Sequence, residues 1–355
     1  MRDVRKTDFN RMLKTLRCEE PDFVPIAELS IDAAVKEKFL GRPIKTIKDD
    51  VEFWCKAGYD YVYLRPNYEY PGLPASVAVG TTINRENVAS AEEAASEMDS
   101  WQKISTEKDI ENFPWPDPET IDYSNLVEAA GCLPEGMQII SGVGGIFTRT
   151  WMLLGFTEFC MKLSEHPEII KKMFDRIGGI QCQVLRKVVK MKKVGAFWYG
   201  DDLAYTEGLM VSPDIYRKYL LPWLEELFSI AHKAKLPVIM HTDGDVQPLI
   251  DDLVKIGLNA LHPIEPKAMD INLLKKKYQN RLCLIGNIDM AGSLGRGTPD
   301  EVRQEVKERI RNVAPGGGYA VGSSNSVASY IPIENYRAMI EATFEYGQYP
   351  KHKGI

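Results

Sequence analysis

Short apolar runs recur along the chain, and each breaks off in polar or titratable groups. The clearest is Pro237-Val238-Ile239-Met240, which passes directly into His241-Thr242-Asp243-Gly244-Asp245. A brief, continuously apolar run bounded by turn residues reads as a strand buried on both faces. The same pattern predicts strands at Phe23–Leu29, Tyr61–Leu64, Met137–Gly142, Ala196–Tyr199, Asn259–His262, Leu282–Ile285 and Tyr319–Val321. Between them, apolar residues recur at helical spacing. Phe9, Met12, Leu13 and Leu16 predict a helix over 7–19, and Leu249, Ile250, Leu253 and Val254 predict one over Val246–Ile256. Further helices are expected over about 148–165, 167–192, 213–234 and 333–346. One after strand seven is announced by Thr298-Pro299-Asp300-Glu301, a cap with proline at the first helical position.

Eight strands alternating with helices predict an α/β chain folded as one (β/α)8 TIM barrel over 1–355, with an N-terminal helical extension. Residues 66–135 break the rhythm with recurrent Pro and Gly, Thr81-Thr82-Ile83-Asn84, and the acidic run from Glu92 to Glu97. A connection of that length is usually functional or carries structure of its own, so it reads as an insertion on the barrel rim. Gly142-Val143-Gly144-Gly145 lacks the G-x-G-x-x-G spacing of a dinucleotide site. It reads as a tight turn, or as close backbone approach to a substrate. A doubly wound open sheet is the structural alternative, and it usually brings such a fingerprint.

Composition narrows the function. A net charge of −6 over 355 residues argues against a nucleic-acid partner. No apolar run reaches membrane-spanning length, and the charged start lacks a signal-peptide core. The cysteines are scattered without a C-x-x-C pair, as in a cytoplasmic protein with reduced, mostly buried thiols.

Chemistry concentrates at the predicted strand ends, where a parallel barrel builds its site. Glu28, Arg65, Tyr199, Asp201, Asp202, His241, Asp243, His262, Glu265, Asn287, Asp289, Ser323, Ser324 and Asn325 all lie there. Buried carboxylates are costly unless paired, hydrogen-bonded or metal-bound, so this clustering points to an enzyme. His241 and Asp243 are two apart and point to one side of an extended segment. They could grip one divalent metal ion, with His262 and Glu265 completing its shell. The alternative is a hydrogen-bonded His–Asp pair that orients substrate without metal. Asp202 or Glu265 is the candidate proton-transfer group. Asp201 and Asp202 read as a base and an acceptor, or one of them as a helix cap. Glu28, Tyr199, Asp201, His262, Asn287, Asp289, Ser324 and Asn325 are candidate contacts to a small-molecule substrate, and Arg65 is a candidate anchor for its carboxylate. Asn287 and Asp289 read equally as turn residues, and His262 equally as a core histidine.

Several motifs, in order, resemble the uroporphyrinogen decarboxylase superfamily, which includes the corrinoid-linked methyltransferases. They are Arg11-Met12-Leu13 through Glu20-Pro21-Asp22-Phe23-Val24-Pro25, Phe113-Pro114-Trp115-Pro116-Asp117, Tyr199-Gly200-Asp201-Asp202 with Ser212-Pro213, and His241-Thr242-Asp243-Gly244. Gly286-Asn287-Ile288-Asp289, Gly295-Arg296-Gly297-Thr298-Pro299 and Pro332-Ile333-Glu334-Asn335 complete the series. The resemblance implies a (β/α)8 barrel with its site at the strand C-termini. It leaves two chemistries open. Decarboxylases of the superfamily carry an arginine-rich segment after the first strand. Here that place reads Ala27-Glu28-Leu29-Ser30-Ile31-Asp32, so a porphyrinogen with many carboxylates would meet Glu28 and Asp32 instead. The methyltransferase branch uses zinc held by His-x-Cys after strand five and a cysteine after strand eight. This chain keeps His241, has Asp243 for the first cysteine, and has Ser323-Ser324-Asn325 in place of the second. A harder site of His241, Asp243 and Glu265 would suit zinc or another divalent ion. The resemblance therefore implies a methyltransferase working with a corrinoid protein or a methylated small molecule. A metal-free lyase that decarboxylates a small or cyclic acid is the alternative.

Overall fold

The computed structural model describes residues 6–73 and 98–349. Thr81–Asn84 and the acidic run Glu92–Glu97 of the expected rim segment lie outside the described residues, as does His352 in the tail.

Among the described residues the strands are β1 (Tyr61–Leu64), β2 (Gln138–Gly144), β3 (Val194–Gly200), β4 (Ala204–Tyr205), β5 (Gly208–Leu209), β6 (Val238–His241), β7 (Ala260–His262), β8 (Cys283–Ile285) and β9 (Tyr319–Ala320). Seven of them form one parallel sheet in the order β1-β2-β3-β6-β7-β8-β9, and β4 and β5 make a separate antiparallel hairpin. Because sheet order follows chain order, every connection steps to the next strand in the same sense. The sheet curls, and all strand C-termini face one end. The residues of β6, β7, β8 and β9 are all buried, which accounts for their unbroken apolar runs.

The expected first strand differs. Phe23–Leu29 is not a strand but touches both edges of the sheet. Ile26 bridges Val321 in parallel, with Ala27 N–H donating to the Val321 carbonyl (2.8 Å) and Val321 N–H to Pro25 O (2.9 Å). On the β1 side the link is a side chain. The Tyr61 hydroxyl accepts from Glu28 N–H (2.7 Å) and donates to the Glu28 carbonyl (2.6 Å). Pro25 has no N–H to give and the Glu28 amide is taken by a phenol, so a regular ladder cannot form.

The expected 148–165 helix is two, Ile146–Leu154 and Phe156–Glu165, divided at Gly155, and Pro167–Val188 follows. The expected 213–234 helix runs as Pro213–Ile215, a π-helical turn Tyr216–Leu220, and Leu221–Lys233. Pro222 lacks the N–H that an unbroken ladder would need there. The helix Ser124–Cys132 packs on the helix Ile47–Lys56 and on β2. The helix Pro299–Val313 begins as its sequence predicts, with a full capping box between Thr298 and Glu301. The thiols are less buried than expected. Cys182 and Cys283 are in the core, Cys18, Cys55 and Cys132 are half-buried, and Cys160 is exposed on an outward helix face.

Two of the sequence motifs are locks between elements. Arg11, on the helix Phe9–Leu16, is buried and holds Asp22 through Nε (2.7 Å) and Nη2 (3.0 Å) and Asp60 through Nη1 (2.5 Å). Asn335, at the start of the helix Ile333–Tyr346, donates to the carbonyls of Leu294 (3.0 Å) and Gly297 (2.8 Å). Each joins segments remote in sequence and so fixes where the strand ends lie. No described helix is long and apolar enough to cross a membrane.

Candidate active site

At the C-terminal ends of β6 and β7, His241 and His262 are register partners and both are fully buried. Their Nδ1 atoms are 2.8 Å apart, so one ring donates and the other accepts. Burial, and then His241, hold the His262 imidazole well below its ordinary pKa, so it is neutral. His262 Nε2 has no hydrogen-bond partner among the described residues, and the ring packs edge-on against Trp198. His241 turns its other nitrogen, Nε2, toward two carboxylates: Asp243 Oδ1 at 3.5 Å and Asp202 Oδ1 at 3.6 Å.

Asp202, His241 and Asp243 each offer a ligand atom, and these atoms all lie within 4.8 Å of one another. All three residues are buried. Burial pushes the Asp202 carboxyl well above its ordinary range, with Asp243 and then Asp201 adding like-charge repulsion. Two carboxylates facing each other in low dielectric are unfavourable unless a proton or a cation sits between them. The donor set, one imidazole and two carboxylates, fits a divalent ion of the zinc or first-row transition-metal kind. An ion held by His241 would leave the His241 proton on Nδ1, donating to His262. That is the outer hydrogen bond that orients a ligating histidine.

The surroundings pin this triad. Asn325 Nδ2 donates to Asp243 Oδ2 (2.8 Å), and Glu265 Oε1 accepts from Gly244 N–H (3.0 Å). Gly244 has φ +79°, and a Cβ there would lie 2.4 Å from the Tyr205 carbonyl oxygen. The motif after β6 therefore needs glycine in order to turn beneath the β4–β5 hairpin. The Thr242 hydroxyl accepts from Leu203 N–H (3.0 Å), tying the same turn to the segment that carries Asp202.

Glu28 is wholly buried, and burial raises its pKa to about 8. Its Oε1 accepts from Ser323 N–H (2.6 Å), and its Oε2 lies 2.7 Å from Ser323 Oγ. Ser323 Oγ is also 3.0 Å from the Asn325 carbonyl. When Glu28 holds its proton, it donates to Ser323, whose own hydroxyl proton turns to Asn325. A polar chain thus runs from Glu28 to the residue that holds Asp243.

The structure separates the remaining predicted residues. Asp201 and Tyr199 point away from the triad. Asp201 accepts from Phe147 N–H (2.8 Å), Thr148 N–H (2.9 Å), the Thr148 hydroxyl (2.7 Å) and the Tyr199 hydroxyl (2.6 Å). It caps the helix Ile146–Leu154, so the capping alternative describes Asp201, and its carboxylate is fully used. Ser324 Oγ accepts from Met290 N–H (3.0 Å), tying the segment after β9 to the one after β8, and Asp289 Oδ1 accepts from Ala291 N–H (2.9 Å) as turn chemistry. Asn287 is buried, and its Oδ1 has no hydrogen-bond partner among the described residues.

Arg65 lies across the sheet from β6, just beyond β1. With Tyr63 and Tyr68 it lines a cavity of about 640 Å³, none of whose lining residues belongs to the triad. Glycine at 142 makes room for the Tyr63 ring, since a Cβ there would lie 2.2 Å from its hydroxyl. The glycine-rich stretch is thus partly strand, and its close approach is to a tyrosine. Sequence reasoning missed Arg149. Every residue of the helix Ile146–Leu154 is buried, Arg149 among them at 3 % exposure. Its guanidinium stacks on Tyr70, 4.7 Å from the ring centroid. The available signal was a single charge in the otherwise apolar and hydroxylic run Ile146-Phe147-Thr148-Arg149-Thr150-Trp151.

Comparison with known proteins gives the family and the fold of the chain. The sequence model of the family "Uroporphyrinogen decarboxylase (URO-D)" matches residues 93–346. A uroporphyrinogen decarboxylase of Actinobacillus succinogenes is 23% identical over 252 residues, covering 67% of this chain and 68% of that protein. The methylcobamide:CoM methyltransferase MtaA of Methanosarcina barkeri is 28% identical over 141 residues, 39% of this chain and 38% of that one. Among solved structures, a methyltransferase from Methanosarcina mazei superposes with a TM-score of 0.67 at 18% identity, over 96% of this chain and 99% of that chain, and so shares the fold. The chain belongs to the uroporphyrinogen decarboxylase family.

Proposed function

We propose that this chain is a metal-dependent methyltransferase that exchanges a methyl group between a corrinoid, carried by a partner protein, and a small organic substrate. The observation that carries the reading is the buried triad Asp202, His241 and Asp243, whose donor atoms converge within 4.8 Å. A divalent ion held there would act as a Lewis acid on a substrate heteroatom, making it a better nucleophile. The chain's own residues supply the rest. Asn325 fixes Asp243, and His262 fixes the tautomer of His241. Glu265, half-buried beside Gly244, is placed to take the proton that the acceptor loses when it is methylated. The name of the Methanosarcina barkeri relative supports a methylated corrinoid as the donor. The fold reading that goes with this is a single domain over 1–355. In it the Phe23–Leu29 segment stands in for an eighth strand between β9 and β1, and the described parts of the 66–135 connection, 66–73 and 98–135, belong to a rim insertion of a cytoplasmic enzyme.

One observation favours a second reading, a metal-free carboxy-lyase. With no cation, burial and the facing Asp243 favour the protonated form of Asp202. A protonated acid beside a substrate can deliver that proton to the carbanion left when CO2 departs. The absence of arginine from Ala27 to Asp32 speaks against uroporphyrinogen as the acid. The test is to incubate the purified chain with methylcobalamin and a panel of thiols, phenols and amines, following the corrinoid spectrum and, in parallel, CO2 release from small carboxylic acids. Corrinoid demethylation that needs a divalent ion and is lost in Asp202→Asn supports the first reading. CO2 release unaffected by chelator, with an inert corrinoid, overturns it in favour of the second.

A further inference from the structure

The three members of the triad are not held alike. His241 is fixed by His262 and Asp243 by Asn325, at 2.8 Å each. The Asp202 carboxylate has no such partner. Among the described residues it accepts only a long bond, 3.4 Å, from Asp243 N–H. A side chain with so little of its own to hold it takes its place from the backbone on either side. On one side, Asp201 caps the helix Ile146–Leu154. On the other, both peptide groups of Leu203 are tied. Its N–H donates to the Thr242 hydroxyl (3.0 Å), and its carbonyl accepts from Met210 N–H (3.0 Å) and from the Tyr216 hydroxyl (2.6 Å). Met210 belongs to the same loop as Leu203, so the Tyr216 hydroxyl is what ties that carbonyl to a helix.

Tyr216 reaches Leu203 from an unusual place. It opens the π-helical turn Tyr216–Leu220, in which Leu221 N–H donates to the Tyr216 carbonyl five residues back. Such a turn adds one residue to a helix and so rotates the side chains before it by about 100° against those after it. The start of the helix is set by the Ser212-Pro213 motif, where Ser212 Oγ accepts from Asp214 N–H (3.3 Å). Tyr216 is fully buried while Arg217 and Lys218 are exposed. Its ring packs on Phe147, centroids 4.9 Å apart, and Phe147 N–H is one of the donors to Asp201 (2.8 Å). One side chain therefore braces the chain on both sides of Asp202. π-Turns weaken a helix locally and recur where a function needs a side chain re-aimed.

We propose that Tyr216 is a positioning residue for Asp202, and that the π-turn serves to aim its hydroxyl at the Leu203 carbonyl. Without that bond the backbone after Asp202 is held at Thr242 alone among its contacts outside the hairpin loop, and the carboxylate loses its alignment with His241 and Asp243. The role in ion binding rests on the metal reading of the triad; the brace on Leu203 does not.

The test titrates cobalt(II) into the full chain and follows the visible absorption of the bound ion, which reports the ligand set and its geometry. Tyr216→Phe is expected to raise Kd about tenfold, the low end of what a residue behind a ligand is worth, and to shift the spectrum toward that of Asp202→Asn. Tyr219→Phe, which removes a hydroxyl from the same turn, is expected to match wild type in both. In parallel, hydrogen exchange at the Leu203 amide of the metal-free protein should speed up about tenfold in Tyr216→Phe beyond any change in global stability, the worth of one hydrogen bond. An unchanged Kd and spectrum in folded Tyr216→Phe, or an equal loss in Tyr219→Phe, would overturn the proposal. Wild type that binds no cobalt would instead refute the metal reading, and the exchange arm then decides the brace: local acceleration supports it, and exchange that only follows global stability overturns it.

Discussion

Residue by residue, the site is decided by which buried groups keep their protons. Asp202 and Glu28 are both raised by burial, but only Asp202 faces another carboxylate. Glu28 instead has the hydroxyl and amide of Ser323, whose hydrogen bonds favour the carboxylate but do not cancel the effect of burial. Its unfolded pKa is near the ordinary value and its folded pKa is about 8, so the folded state retains a proton that the unfolded state has lost between those limits. Stability contributed by that proton is fully present below about pH 4.5 and is lost as pH rises through about 8, at up to about 1.4 kcal/mol per pH unit. Denaturant titrations from pH 5 to pH 8 should therefore show wild type losing stability relative to Glu28→Gln, which mimics the protonated acid. Parallel curves for the two proteins would contradict a buried neutral Glu28.

Among the elements, the turn after β6 does the positioning. Gly244→Ala would force a side chain into left-handed backbone and against the Tyr205 carbonyl. It should cost about 1–3 kcal/mol and weaken divalent-ion affinity, since Asp243 and the Glu265 contact move with the turn. Calorimetric titration of zinc against the variant checks this, and unchanged affinity would show that the turn does not set the ligand geometry. Much of this element was legible from the apolar run of β6 and the polar groups at its end. Consecutive Asp201 and Asp202 were not separable in sequence. Adjacent side chains on an extended segment point to opposite sides, and which one faces the site depends on a register that only packing fixes. Tyr199 goes with Asp201 for the same reason. Arg149 left one signal, its lone charge in an apolar and hydroxylic run, and that signal is easily passed over because a charge on a helix ordinarily lies on its solvent face.

For the whole molecule, the account depends on how the curled sheet meets itself. The sequence pattern predicted a strand at Phe23–Leu29. The structure instead uses one backbone bridge on the β9 side and the Tyr61 phenol on the β1 side, a side-chain link that periodicity cannot reveal. Tyr61→Phe would leave the Glu28 amide and carbonyl without that hydroxyl in a buried place, at a cost of about 2–4 kcal/mol. Hydrogen exchange at the Glu28 amide should accelerate by more than the change in global stability explains. Exchange that merely follows global unfolding would mean that the seam is held elsewhere.

The most direct test of the central claim is metal content, by elemental analysis of wild type and His241→Ala after passage through a zinc-containing buffer and desalting. A divalent ion near one per chain in wild type, and lost in the variant, is the predicted result. Wild type emerging without metal, or the variant retaining as much as wild type, would contradict a cation held by Asp202, His241 and Asp243.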